Sequence, residues 1–355
     1  MQRKSTENSI TIKDIAAISG VSISTVSNVL NGKTNKVSKD VTERILKVVE
    51  DTGYKPNYLA KSLRATSTKT IGIIVEDLLL FSTSPIIEGV MKRTEEMGYS
   101  VVIENVRLFG RWDDKWMHDD ALFQSALAPI MSKMEALHVD GIVYIGGYEH
   151  KVSLESRPEG VPFAIVYADT DDEEVPCFKL DDVQGGYNAY KYLSSKGHSK
   201  IAIISGEASS PHSINRLRGI QKAMFEEGVL FDPLLVTDQT WNKTGGYKGM
   251  KQLEGADFTA VICMSDLIAS GVYEYLLERG KKPGKDLAII GYDNHEISQI
   301  IYPELTTISL PLDMMGYEAA SWLIDRSGSE DNKDVQPAEV RIAGELIERD
   351  SAYSI

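Results

Sequence analysis

The chain has 355 residues, enough to bury a sizeable core without a disulfide or metal staple and suggestive of two to three domains. Hydrophobic residues at 42% and charged residues at 25% are ordinary globular values, and no apolar run approaches the roughly 18 residues of a membrane span. The formal net charge of -14 argues against a nucleic-acid partner only if it is spread evenly. It is not: residues 1–70 hold 12 lysines and arginines against 6 aspartates and glutamates, whereas the remainder holds 26 against 46. A basic head on an acidic body is expected to bring the head to a polyanion and keep the body away from it.

The head shows helical periodicity. Thr11 caps a first helix, Ile12-Lys13-Asp14-Ile15-Ala16-Ala17, with an acid in its first turn. Ser19-Gly20-Val21-Ser22 breaks it, and Ser22 caps a second helix, Ile23 to Leu30, closed by Asn31-Gly32. Ser38 opens a third, with Val41, Ile45, Val48 and Val49 on one face and Gly53 at its end. Three short helices with a tight turn between the first two fit an all-α helix-turn-helix unit over residues 1–53. Residues 54–70 then read as a hinge and linker: Pro56 to Arg64 can form one short helix, followed by ATSTKT.

From Ile71 the pattern changes to short apolar runs bounded by glycines or acids: 71–75, 99–104, 141–147, 163–168, 201–206, 259–264 and 287–293. Stretches with helical spacing lie between them, at 85–98, 124–138, 182–196, 214–228 and 266–280. Alternating strand and helix predicts parallel sheets flanked by helices, and seven strands over this length predict two similar α/β lobes. Cys177 and Cys263 lie far apart in apolar contexts and are expected as buried thiols. The start, MQRKSTENSI, shows no apolar stretch or cleavage site of a secretory signal, so a soluble cytoplasmic protein is expected.

Enzyme signatures are missing: there is no G-x-S-x-G, no H-E-x-x-H and no G-x-G-x-x-G after the first strand. Gly32-Lys33-Thr34 resembles the end of a phosphate loop, but the position that needs the leading glycine is Ser27, inside a helix. His118, His138, His150, His198, His212 and His295 show no ligand spacing and are expected at the surface or as caps; no metal and no cofactor is expected. In the head, Ile23, Ser24 and Asn28 occupy the start of the second helix, the end that meets base edges in a helix-turn-helix protein. Asn28 can bond adenine bidentately, Ile23 can touch a thymine methyl, and Ser24 is an unselective hydrogen bonder. Ser22, Thr25 and Ser27 suit phosphate.

The segments TIKDIAAISGVSISTVSNVLNGK and VSKDVTERILKVVEDTGYKPNYLAKSLR resemble the DNA-binding head and hinge of the LacI/GalR family of bacterial repressors. TKTIGIIV, YLSSKGHSKIAIISG, NRLRGIQKAM, LAIIGYDNHEISQIIYPELTTISLPLDMMGYEAASWLIDR and GELIERDS continue the likeness through the body in family order. The resemblance implies a dimeric repressor on a pseudo-palindromic double-stranded DNA operator, with a periplasmic-binding-protein-like body over residues 71–355. In such a body two parallel sheets are flanked by helices, a small-molecule effector lies between the lobes, and the chain is expected to cross between them near 170 and within 295–326. It also implies that Leu63 wedges into the minor groove beside Arg64. For the effector it implies Arg216 and Asp293 as polar grips, Trp241 as a stacking aromatic, and Ser210, Ser265 and Asp266 as further contacts.

The first lobe departs from the family pattern. EDLLLFSTSP replaces an acid-x-x-asparagine-proline-aromatic stretch, leaving Asp77 and Phe81 as its candidates for the cleft. Tyr167 stands where many members have an aspartate, and LFGRWDDKWMHDD, with Trp112 and Trp116, has no family counterpart. The expected function is therefore a repressor of carbohydrate-utilisation genes controlled by a sugar-like effector. A transporter's solute-binding protein would lack the basic head, and an enzyme would need an ionisable cluster with activating neighbours. The nearer alternative is the same fold responding to a purine or to a protein co-effector. Ser210 and His212 stand where a purine-responding relative would use other groups, which favours a sugar.

Overall fold

The computed structural model describes residues 10–32, 34–54, 67–113, 115–327 and 339–355. The chain divides into two compact units between Thr68 and Lys69. In the head, α1 (Ile12–Ser19), α2 (Ile23–Leu30) and α3 (Lys39–Thr52) close on Ile15, Ala16, Val26, Val29 and Ile45. The helix ends are where local chemistry places them. Thr11 and Asp14 form a reciprocal capping box, the Ser22 hydroxyl accepts from the Thr25 amide, and Gly20 and Gly53 end α1 and α3 in left-handed backbone. Leu63 and Arg64 lie outside the described residues.

The body carries two six-stranded sheets. The first runs β11-β5-β4-β3-β1-β2 and is wholly parallel: β1 is Thr70–Val75, β2 Ser100–Asn105, β3 Gly141–Ile145, β4 Phe163–Val166, β5 Cys177–Leu180 and β11 Val340–Ile342. The second runs β12-β10-β9-β8-β6-β7, comprising β6 Ile201–Ser205, β7 Val236–Asp238, β8 Ala260–Cys263, β9 Ala288–Asp293, β10 Thr306–Ser309 and β12 Leu346–Ile347. It is parallel except for β12, which pairs antiparallel to β10. The central strands β1, β3, β6 and β8 are buried on both faces, which is why they read as continuous apolar runs.

Each sheet has an apolar core on both faces. On the first sheet, α4 (Thr83–Glu96) and α12 (Leu312–Ser327) cover one side. The other is covered by α5 (Leu108–Trp112), the turn Lys115–His118 and α6 (Asp120–Ala136). On the second sheet α7 (Asp182–Ser195) and α8 (Pro211–Glu226) pair on one side, and α9 (Lys243–Gln252) and α10 (Asp266–Glu278) on the other, with a short α11 (Ile297–Ile300) following β9. The 108–120 segment is anchored to the core by Leu108 and Trp116, both buried; Trp116 is edge-on to Phe109 at 5.4 Å and stacked on Phe123 at 6.1 Å. Beside it lies a cavity of about 610 Å³ lined by Trp116, Phe123, His150 and Thr170 among others.

The first crossing between lobes differs from expectation. It falls at Asp181, after β5, and not near 170, because the short mixed strand Cys177–Leu180 still belongs to the first sheet. The second lies between β10 and α12, within the expected span, and a third runs from β11 to β12. Both cysteines are buried free thiols. Among the described residues no helix is long and apolar enough to cross a membrane.

Candidate effector site and nucleic-acid interface

On the head, Ile23 and Ser24 are exposed at the start of α2, and Thr25, Ser27 and Asn28 are half-buried along it. The Ser22 hydroxyl lies 2.7 Å from that of Ser24 and 2.8 Å from that of Thr25. One end of one helix thus presents an apolar group, an amide and a cluster of hydroxyls.

In the body, the carboxyl ends of the parallel strands from both sheets converge, the usual place for a ligand in an open α/β sheet. The second lobe contributes a buried ionic cluster. Asp182, the first residue of α7, is fully buried, and its oxygens meet Arg216 Nε at 2.7 Å and His212 Nδ1 at 2.6 Å. Arg216 also donates to the Met264 carbonyl and lies over the Tyr292 ring, 3.5 Å from its centroid, with Trp241 at 5.6 Å. α7 and α8 approach closely enough that a Cβ on Gly186 would lie 2.0 Å from the Arg216 carbonyl oxygen, so glycine there fixes the height of Arg216. Trp241 is seated by Gly206 in the same way, at 1.9 Å.

Asp293 ends β9 in left-handed backbone, φ 112°, followed by Asn294 at φ 52°. Such conformations persist only where the surroundings over-determine them. Asp266 does much of this: its two oxygens accept from the Thr307 hydroxyl and the His295 amide, both at 2.7 Å. Arg349 holds the Asn294 side chain at 2.7 Å. Asp293 then stands 3.9 Å from Arg216 Nη1. Burial pushes its carboxyl well above the ordinary range, and Arg216 opposes this only in part.

The first lobe contributes Glu149 after β3 and Tyr167 after β4. Tyr167 has φ 61° and stacks on His212 with ring centroids 5.4 Å apart; Glu149 Oε2 is 4.0 Å from His212 Nδ1. Lys179 lies 3.8 Å from Glu149 but is held by Asp169 at 2.9 Å and Glu339 at 2.8 Å. Phe81 is half-exposed and its ring lies 6.0 Å from that of His295 on the other lobe.

The structure thus brings Arg216, Trp241 and Asp293 together, with Ser210 at the cap of α8. Asp77 is buried and spends one oxygen on the Leu79 amide at 3.1 Å. Ser265 caps α10 through Ile268 N at 3.1 Å, and Asp266 spends both oxygens on the turn that carries Asp293. The expectation of surface or capping histidines is corrected at three positions. His198 is buried between Thr259 and the Tyr353 carbonyl, His150 is paired with buried Glu76 at 3.0 Å, and His212 is paired with Asp182. Sequence reasoning missed Glu149, Asp182 and Lys179 as site residues. Their positions at the carboxyl ends of strands, or on a strand beside the crossing, were the available signal.

Residues 11–57 match the family model described as bacterial regulatory proteins, lacI family, and residues 190–352 match a periplasmic binding protein-like domain. The chain is 31% identical over 349 residues to the HTH-type transcriptional repressor PurR of Histophilus somni (97% of this chain, 99% of that one). It is 30% identical to the HTH-type transcriptional regulator DegA of Bacillus subtilis (87% and 88%). A Lac repressor dimer bound to operator and the anti-inducer ONPF superimposes with a TM-score of 0.77 at 24% identity, covering 97% of this chain and 99% of that one. The transcriptional regulator CelR–cellobiose complex does so with a TM-score of 0.64 at 26% identity, covering 97% and 100%. The chain belongs to the LacI family of DNA-binding transcriptional regulators.

The buried cluster makes a stability prediction. Burial alone raises the Asp182 carboxyl, but the Arg216 guanidinium and the His212 ring override it and hold the group well below its ordinary 3.8. A depressed carboxyl contributes stability that is present above its unfolded value and lost as pH falls through the folded one. Asp182→Asn is therefore expected to lower unfolding free energy by about 3–5 kcal/mol at pH 7, with the deficit shrinking below about pH 4. Urea titrations of both proteins across pH check this; a deficit independent of pH would contradict it.

Proposed function

We propose that this regulator is a homodimeric repressor of carbohydrate-utilisation genes whose operator affinity is set by a neutral sugar bound between the lobes. The observation that carries the reading is the juxtaposition of Asp293, Arg216 and Trp241. A carboxylate and a guanidinium bond adjacent hydroxyls, and an aromatic face covers the ring's C–H surface. The cellobiose complex of CelR is a relative of the same fold with a sugar bound. Ser210, Asp77 and Phe81 complete the proposed contact set at its edges, with Ser265 and Asp266 supporting it from behind.

On DNA, Asn28, Ile23 and Ser24 read base edges, and Ser22, Thr25 and Ser27 hold phosphates. Leu63 and Arg64 serve the minor groove as the family resemblance implies. A dimer's two-fold axis matches a pseudo-palindromic operator. A bound effector favours one arrangement of the lobes, and the coupling typical of allostery changes operator affinity by about 5- to 150-fold. A purine in the same cleft is the second reading, kept because a relative at 31% identity over nearly the whole chain is named PurR.

Two outcomes are expected. Titrating operator DNA in the presence of glucose, ribose, cellobiose or hypoxanthine should show a shift with a neutral sugar that Asp293→Asn abolishes while unliganded operator binding persists. A shift with hypoxanthine alone would establish the second reading, and loss of operator binding in Asp293→Asn would make that residue structural. Asn28→Ala should relax one base position in each half-site by about 1–3 kcal/mol of discrimination, read by sequencing selected operators; an unchanged motif contradicts the assignment.

A further inference from the structure

The cleft contains two buried polar atoms that the protein itself leaves unused. Glu149 and His212 are each 8% exposed, and neither Glu149 Oε2 nor His212 Nε2 has a hydrogen-bond partner. They belong to opposite lobes, and Glu149 Oε2 points toward the His212 ring, 4.0 Å from its Nδ1. The ring is fixed in orientation by Tyr167 stacked on its face and by Asp182 at Nδ1. With Nδ1 bonded to the Asp182 carboxylate, the ring leaves Nε2 free to bond a ligand, as donor or acceptor. A buried carboxylate oxygen and a buried imidazole nitrogen, both unpaired, are costly in a folded protein unless another molecule satisfies them.

The charges around them narrow the choice of that molecule. Asp182 and Asp293 flank the Arg216 guanidinium, whose Nε is spent on Asp182, and Glu149 faces His212 from the other lobe. Lys179, the cation nearest Glu149, is held more closely by Asp169 and Glu339. Burial raises the Glu149 carboxyl, as expected for a charge with weak compensation. A phosphate or carboxylate entering here meets the buried Asp182 carboxylate and the carboxyl oxygens of Glu149 and Asp293. A hydroxyl can donate to Glu149 and bond His212 Nε2 as donor or acceptor while accepting from Arg216.

We infer that Glu149 and His212 form a polar clamp across the two lobes that selects an uncharged, hydroxyl-rich effector and rejects its anionic derivatives. The inference rests on the cleft of the proposed function and adds the residues that read the ligand's charge. Because the clamp holds one group from each lobe, a ligand that satisfies both also favours the closed lobe arrangement.

The test uses the full chain, with glucose, ribose, cellobiose, glucose 6-phosphate, hypoxanthine and zinc chloride as probes in thermal unfolding and calorimetric titration. Without ligand, Glu149→Gln should unfold at a temperature equal to or about 2–4 °C above the wild type, because a weakly compensated buried charge has been removed. At least one neutral sugar should stabilise the wild type and bind about 10- to 100-fold more weakly to Glu149→Gln, with a parallel loss in His212→Gln, while glucose 6-phosphate gives no stabilisation. A lower unfolding temperature in unliganded Glu149→Gln, confirmed with Glu149→Ala, would make Glu149 structural and overturn the clamp. So would unchanged sugar affinity in Glu149→Gln, binding of glucose 6-phosphate or hypoxanthine through Glu149, zinc binding that needs Glu149, Asp182 and His212, or no binding by any probe. A sugar whose binding needs Asp293 but not Glu149 removes the clamp and leaves the sugar-responsive repressor standing.

Discussion

The cleft depends on one buried ion pair. Asp182 and Arg216 are both almost wholly removed from water, and each would be strongly destabilising without the other. Their mutual geometry ties the first turn of α7 to the second turn of α8, and the Met264 carbonyl ties both to the end of β8. Arg216 is therefore a fixed surface against which Asp293, Trp241 and Tyr292 are arranged. A freely rotating side chain could not hold three partners at once, and rigid support is what a binding constellation requires.

Around that pair the backbone is held in conformations it would not adopt alone. Tyr167, Asp293 and Asn294 all have positive φ, and all three lie where the lobes face one another. The turn at Asp293 is held by Asp266, Thr307 and Arg349, none of which needs to touch a ligand. Tyr167, Asp293 and Asn294 and the unpartnered atoms of Glu149 and His212 thus lie together at the lobe interface, whereas the strands behind it are apolar and closely packed. A cleft of this kind has more to gain from a ligand than from closing empty, which is the condition for a ligand to shift a conformational equilibrium.

How much of this was legible in the sequence depended on how local the determining physics was. The head was readable because Thr11, Ser22, Gly20 and Gly53 act within a turn of themselves. The central strands were readable because burial on both faces makes them apolar throughout. Strand Cys177–Leu180 was not, because it carries Lys179, a cation buried only by virtue of Asp169 and Glu339 from distant segments. Helix Lys243–Gln252 was hidden by its glycines, which weaken local propensity but allow close packing: a Cβ on Gly246 would lie 1.9 Å from the Ile268 carbonyl. At the site, Arg216 and Asp293 followed from family resemblance. Asp182 and Glu149 did not, since their roles exist only once strand ends from two sheets converge.

The most direct measurement is a double-mutant cycle on Asp182→Asn and Arg216→Gln, read as unfolding free energy at pH 7. If the pair is the constraint that organises the cleft, the two single losses should exceed the double loss by at least about 1.5 kcal/mol, because the second substitution removes the unpaired charge left by the first. Losses that add to within about 0.5 kcal/mol would show that the two residues act independently and would contradict the account.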